Sequence, residues 1–179
     1  MIRLKLITSR DAFLYGKSAD QYQWSAAYEH SGWKIQSLAQ LIINTALLDN
    51  QGGFIQTQQG GTITASHILN NKVTENGSLI EAGAPLVVNT PIFENDGTIA
   101  QGKTPTQGII AQKLTLTSDR LENEKGGIYL ESEGLLNIAK AVSNQAGEIL
   151  SWGDLVVLGN KSLIVHNREG KLQATNNLQ

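Results

Sequence analysis

Hydrophobic residues recur in this chain with a period of two, in short stretches divided by asparagine and glycine. Ile149, Ser151, Gly153, Leu155 and Val157 fall on one parity, as do Ile128, Leu130, Ser132, Gly134, Leu136 and Ile138. Ile109, Ala111, Leu114 and Leu116 nearly follow, with one slip. Upstream, Ile35, Ser37, Ala39, Leu41 and Ile43 repeat the phase. Alternation of this kind predicts strands with one buried face.

The stretches are joined by a recurring motif, an aliphatic residue, then Asn two positions on, Gly three later and Ile or Leu two after that. Its copies are Leu48, Asn50, Gly53, Ile55; Leu121, Asn123, Gly126, Ile128; Val142, Asn144, Gly147, Ile149; and Val165, Asn167, Gly170, Leu172. Two copies read one residue tighter, Val73 to Leu79 and Phe93 to Ile99, with Glu75 replacing Asn in the first. Successive copies begin 20 to 28 residues apart, and the longest interval holds an insertion, roughly Gln101 to Gly108.

A period near 20 made of short strands leaves no room for a helix and predicts a solenoid of strands. The aliphatic positions point inward and stack on their equivalents one coil away. The Gly is expected to supply a positive-φ turn. The Asn tolerates the left-handed region, and stacked Asn side chains hydrogen-bond along the axis as a ladder. Coils about 4.8 Å apart give a rod of about 30 Å for six or seven of them. Small residues such as Ser37, Ala39, Ser132, Gly134, Ser151 and Gly153 fit a narrow interior. The repeats begin near Trp33 and run to Gln179, so residues 33–179 read as the solenoid. At the far end Leu172, Ala174 and Leu178 begin a coil that is cut short.

Residues 1–32 do not fit the repeat and hold Tyr15, Tyr22, Trp24 and Tyr28. Ser18 or Asp20 is placed to cap a short helix over Gln21 to His30, stopped by Gly32. The segment reads either as a cap over the solenoid's open end, which would otherwise be an unpaired strand edge, or as the remnant of a misread open reading frame.

Composition narrows the function classes. Charged residues are 17% of the chain, below the usual roughly 25%. Asn and Gln contribute 14 each, and the net charge is -2. That balance gives no footprint for nucleic acid. No apolar run reaches the ~18 residues of a membrane span. The absence of cysteine excludes a disulfide framework, a thiolate zinc site and a cysteine nucleophile. Met1 to Asp11 has neither the apolar stretch nor the cleavage site of a secretory signal.

No candidate chemistry rises from the remaining residues. Gly97 to Thr104 matches the spelling of a phosphate-binding loop, but Pro105 follows and a helix from Lys103 is not expected. His30, His67 and His166 each lack a second His or a carboxylate at ligand spacing on one strand face, and read as surface histidines. Glu124 aligns with Gln145 and Arg168, and Glu122 with Ser143 and His166, so neither column is expected to keep its acid. Glu131 and Glu133 face solvent and Asp154 stands alone. Asn76-Gly77-Ser78 and Asn160-Lys161-Ser162 fit the glycosylation triplet without further support. No catalytic residue, metal ligand or cofactor is expected.

The tandem Leu-x-Asn-x-x-Gly-x-Ile copies, joined by runs such as Ile149 to Val157, resemble the haemagglutinin-repeat region of filamentous-haemagglutinin-like exoproteins. These are the large two-partner-secretion adhesins and contact-dependent growth-inhibition proteins of Gram-negative bacteria. The resemblance covers about Trp33 to Gln179. It implies an all-β, right-handed parallel β-helix, export through an outer-membrane two-partner-secretion transporter, and a place in a secreted or cell-surface rod. It implies an unidentified host or bacterial receptor or glycan as partner, and neither nucleic acid nor a membrane span. The family's secretion domain and toxin region are not recognisable, so the chain reads as an interior piece of a longer protein. Its expected work is structural and adhesive. The alternatives are a carbohydrate-active β-helix enzyme, a lyase or hydrolase, and a non-functional gene fragment.

Overall fold

The computed structural model describes residues 22–25, 28–29, 34–73, 77–100, 102 and 104–179. Every regular element in these residues is a strand, and every strand pairing is parallel. The strands form one 15-stranded sheet wound into a solenoid of about six turns. Parallel pairing follows from the winding, since each strand meets its equivalent one turn later running the same way.

Each turn has three strand segments. The first described strands are β1 (Tyr22–Ser25) and β2 (Tyr28–Glu29). The next two turns consist of β3 (Lys34–Ser37) with β4 (Leu41–Asp49), and β5 (Phe54–Thr57) with β6 (Gly61–Leu69). The following turn is divided into β7 (Leu79–Ala82), β8 (Leu86–Asn89) and β9 (Ile92–Glu94). Two turns are then single bent strands, β10 (Gly108–Glu122) and β11 (Gly127–Ser143), with register shifts at Ala111/Lys113 and Ser118/Arg120 where the chain rounds its corners. Ser132 lies at the first of these bends and is partly exposed rather than interior. The last full turn is β12 (Glu148–Ser151), β13 (Asp154–Leu158) and β14 (Ile164–His166), and β15 (Lys171–Ala174) begins another.

The expected helix over Gln21 to His30 is not what forms. β1 pairs with Leu41 to Asn44 and β2 with Leu48 to Asp49. A helix this short is marginal on its own. Strands rich in Tyr and Trp instead find a sheet edge ready to satisfy their backbone groups. Strand pairing therefore extends upstream of Trp33. The rest of the expected cap, Tyr15 included, lies outside the described residues.

The core is a set of axial columns. Ile35, Ile55, Ile80, Ile109, Ile128 and Ile149 stack in register, each at most 6% exposed. A second column runs Ile43, Ile63, Val88, Leu116 and Leu136, and a third runs Leu48, Ile68, Phe93, Leu121 and Val142. Each side chain packs between its equivalents above and below. Burial of this kind stabilises by roughly 1.5–3 kcal/mol per large aliphatic side chain.

Beside the third column stands a polar one. The amide nitrogen of Asn50 donates to Oδ1 of Asn70, Asn70 to Asn95, Asn95 to Asn123, Asn123 to Asn144 and Asn144 to Asn167, each at 2.7 Å. Asn50, Asn70, Asn95, Asn123 and Asn144 have no exposed surface. Each also donates to a backbone carbonyl of the adjoining strand start, such as Asn50 to Leu79 O at 3.0 Å and Asn95 to Gly127 O at 3.0 Å. From Asn70 to Asn144 each buried amide has partners for both nitrogen and oxygen, which adds net stability; at the first rung the Asn50 Oδ1 has none. An amide whose partner is removed costs about 1–3 kcal/mol for the group left unpaired. The expected outcome is that Asn123→Ala lowers unfolding free energy by about 2–3 kcal/mol in urea titration. Asn167→Ala, at the partly exposed end, should cost less than half of that.

Candidate functional site

The repeat residues fall into register with one another. Leu48, Leu121 and Val142 are buried in the third aliphatic column, and Ile55, Ile128 and Ile149 in the first. Val165 and Leu172 occupy the equivalent places on the last strands, where Val165 is 46% exposed.

The glycines of the two tighter copies, Gly77 (φ 69°) and Gly97 (φ 73°), take the positive φ expected of them, but in the four full-length copies the motif's Asn and Gly work differently from the expectation. None of the ladder asparagines has positive φ; the left-handed residue of the corner comes immediately before the Gly. That place holds Gly52 in the first copy but Lys125 (φ 52°), Ala146 (φ 50°) and Glu169 (φ 58°) in the later ones. The glycines themselves are required by close approach. A Cβ on Gly126 would stand 2.2 Å from Asn95 O, on Gly147 2.1 Å from Asn123 O, and on Gly170 1.9 Å from Asn144 O. Each would also collide with the Oδ1 of its own repeat's Asn. The Gly thus leaves room for the backbone carbonyl of the preceding turn's Asn and for the amide of its own ladder Asn.

Two copies sit differently from the places their spacing suggests. The ladder residue of the second turn is Asn70, in Ile68-Leu69-Asn70, and not Glu75, which lies outside the described residues. An insertion follows it, and the chain rejoins the stack at Ser78 and Leu79. In the third turn Phe93 and Asn95 are placed as expected, but Ile99 starts no strand; the stack resumes at Gly108 and Ile109. The signal for Asn70 is present as Leu-x-Asn and Ile-x-Asn spaced by one coil, obscured by a more conspicuous Asn-Gly nearby.

The register of the turns brings together acids that stand apart along the chain. Glu94 pairs with Glu122 on the next turn. Asp96 and Glu124 each follow a ladder Asn at equivalent places, as the repeated Glu-Asn-Asp and Glu-Asn-Glu show. His67 is not a lone histidine: its Nε2 lies 2.6 Å from Glu94 Oε1, a pairing between turns that no reading along one strand reveals. Glu94 Oε2 accepts from Asn71 at 3.0 Å. Asp96 Oδ1 accepts from the Glu124 backbone N–H at 2.8 Å, and Glu124 Oε1 accepts from Ser143 at 3.1 Å and Gln145 at 3.3 Å. Burial raises the Asp96 carboxyl above its usual range, and the charges of Glu124, Glu122 and Glu94 add to this against the opposing Glu124 N–H. These acids lace adjacent turns together. Among the described residues no group of three His, Cys, Asp or Glu is disposed to hold a metal ion. Of the other singled-out residues, Glu131, Glu133 and His166 are exposed, and Asp154 Oδ1 accepts from Asn177 at 2.9 Å.

The phosphate-loop spelling falls on a turn and an insertion. Gly97 has φ 73° and Thr98 is buried, with its hydroxyl donating to Asn95 O at 2.9 Å and accepting from Gly127 N at 3.2 Å. The next regular element is a strand, β10. Gln101 and Lys103 lie outside the described residues. The insertion is fastened by Tyr129, whose phenol oxygen accepts from Ala100 N at 2.7 Å and whose hydroxyl donates to Glu148 Oε2 at 3.2 Å. Tyr129 stands on an outward position yet is only 3% exposed. A side chain at Gly127 would strike its ring. Burial pushes the phenol up to about 12, with the Glu148 carboxylate adding to the shift and the Ala100 N–H opposing it.

Comparison with protein-family models, with curated proteins and with solved structures finds no match.

Asp96 and Tyr129 tie stability to pH. Asp96 carries a raised pKa when folded, so its contribution is favourable below the ordinary carboxylate pKa and lost as pH rises through the folded value. Asp96→Asn keeps the acceptor for Glu124 N–H and should raise the melting temperature at neutral pH, with the gain fading under acid conditions. Tyr129 likewise favours folding below the ordinary phenol value of 10.0 and loses that contribution as pH rises towards about 12. The parent protein should lose roughly 2–3 kcal/mol over that interval that Tyr129→Phe does not lose. Urea titrations at stepped pH on both proteins check it.

Proposed function

We propose that this chain is a structural and adhesive β-helix segment of a large exoprotein of the filamentous-haemagglutinin type, carried to the cell surface or medium. The observation that carries this reading is where the chemistry of the sequence lies. Its buried amides, close-approach glycines and aliphatic columns all serve stacking along one axis. Substituting any of them damages the rod and not a reaction. A parallel solenoid transmits load and sets distance because every turn is hydrogen-bonded to the next. Its outer faces, rich in Thr, Asn, Gln and Ser, offer many weak hydrogen bonds to a receptor or glycan.

The resemblance of the repeat motif to haemagglutinin repeats supports this reading and supplies the route of export, through an outer-membrane transporter of the two-partner type. Growth-inhibition stalks and adhesins share that rod, and either use needs the same mechanical property. The carboxylates of the third and fourth ladder turns favour no enzyme, because Glu94, Asp96 and Glu124 accept hydrogen bonds that join turns.

An antibody raised against the purified chain tests the reading. Labelling of intact producer cells is expected, together with loss of the label after external protease and after deletion of the partner transporter. Label that appears only once the cells are lysed would overturn surface display.

A further inference from the structure

Along one side of the solenoid, the bends between the second and third strand segments of successive turns line up into a groove of about 670 Å³. Its polar rim is Thr64, Asn89, Thr117 and Asn137, one residue from each of four successive turns, aligned by direct strand register. Beside the rim lie Pro91 and Ala139, and Leu158, in register with Asn137 on the next turn and 49% exposed, continues the rim as an apolar end. The one ionisable residue among its described lining is Asp119, and Lys140 pairs with it at 2.7 Å.

The rim side chains differ from the other amides of this protein. Every ladder asparagine from Asn50 to Asn144 donates to the next and only the Asn50 Oδ1 is left without a partner, whereas none of the four rim side chains hydrogen-bonds to another described residue. They offer alternating hydroxyl and amide groups to whatever lies in the groove, one per step of about 4.8 Å. A matching ligand is linear and uncharged, repeats close to that step, and carries both hydroxyl edges and a C–H face. The cation beside the groove, Lys140, is already paired with Asp119, so a polyanion meets no unpaired positive charge among the described lining. An extended peptide strand repeats at about 3.3 Å per residue and drifts out of register with the rim. An extended chain of neutral sugars satisfies each condition, because one pyranose advances by about one turn of the solenoid.

We propose that this groove binds a neutral, extended polysaccharide laid along the solenoid axis, about one sugar per turn. The proposal rests on the reading of the chain as an adhesive segment and names the class of receptor it takes. Rim hydroxyls and amides meet the sugar hydroxyls, while the exposed Pro91 and Leu158 lie against the C–H faces.

The probes are linear hexasaccharides of glucose, mannose and N-acetylglucosamine, with their trisaccharides, and a heparin hexasaccharide as the charged control, titrated into the full chain by calorimetry. At least one neutral hexasaccharide should bind, more tightly than its trisaccharide and more tightly than heparin. Asn89→Ala with Asn137→Ala should weaken it about tenfold, as loss of two hydrogen bonds implies, with the melting temperature unchanged. Thr117→Arg, which obstructs the groove, replaces that variant if its melt is altered. Failure of every neutral hexasaccharide, binding of heparin alone, or binding indifferent to both variants would overturn the proposal. Those results leave antibody labelling of intact cells untouched, so failure of the groove and failure of surface display are told apart.

Discussion

The asparagine ladder is the constraint on which the rest of the structure depends. From Asn50 to Asn144 the ladder amides are buried, and from Asn70 to Asn144 each finds partners for both its nitrogen and its oxygen; at the first rung the Asn50 Oδ1 is left without one. The next turn supplies the nitrogen's partner through its own Asn, at 2.7 Å throughout. Those distances hold only if every turn keeps the same register, so the ladder acts as a ruler along the axis. The Ile and Leu columns beside it supply most of the burial energy, but hydrophobic packing is non-directional and tolerates slippage. A one-residue slip would place a ladder amide among aliphatic side chains without a partner. The ladder thus converts a sticky stack into one with a single register, in line with the cost of an unpaired buried polar group.

Insertions show what the ladder permits. Chain added between the ladder Asn and the next strand start, after Asn70 and again after Asn95, leaves the axial columns intact. The second insertion is held down by Tyr129, whose buried phenol bridges Ala100 and Glu148. The acids beside the ladder accept bonds across turns as well. Variation is therefore confined to the corner and the outer faces, where a rod can acquire surface properties without losing its winding.

Much of this is legible in the sequence, and the limits have physical causes. Fold class follows from period-two alternation and the tandem Asn and Gly, since hairpins of an antiparallel sandwich do not explain their recurrence about every 20 residues on one parity. Asn123, Asn144 and Asn167 are placed by spacing alone. Asn70 escapes notice because the insertion after it separates the Asn from its strand start, and Asn76-Gly77 imitates a turn. The pairing of His67 with Glu94 and the stacking of Glu94 on Glu122 are invisible along the chain because they arise between turns, at separations set by insertion length. The motif Gly looks like a conformational requirement, yet Lys125 and Ala146 take the left-handed place. What excludes a side chain at Gly126 and Gly147 is the backbone carbonyl of the ladder Asn one turn before, together with the side-chain amide of the repeat's own Asn. The short helix at the start is plausible locally and loses to an available sheet edge. The groove follows from no motif, because its rim residues are ordinary Thr and Asn that matter only when stacked.

The cysteine-free sequence makes parallel stacking in one register open to a direct crosslinking measurement. Thr115 and Leu135 are partners on adjacent turns, and Val156 stands one turn further. Adjacent parallel strands lie about 4.8 Å apart, within reach of a disulfide, and two turns are beyond it. A single stacked register predicts rapid, near-complete oxidation of the Thr115→Cys/Leu135→Cys pair and none within the monomer for Thr115→Cys/Val156→Cys. Equal crosslinking of both pairs, or of neither, would contradict the stacked solenoid.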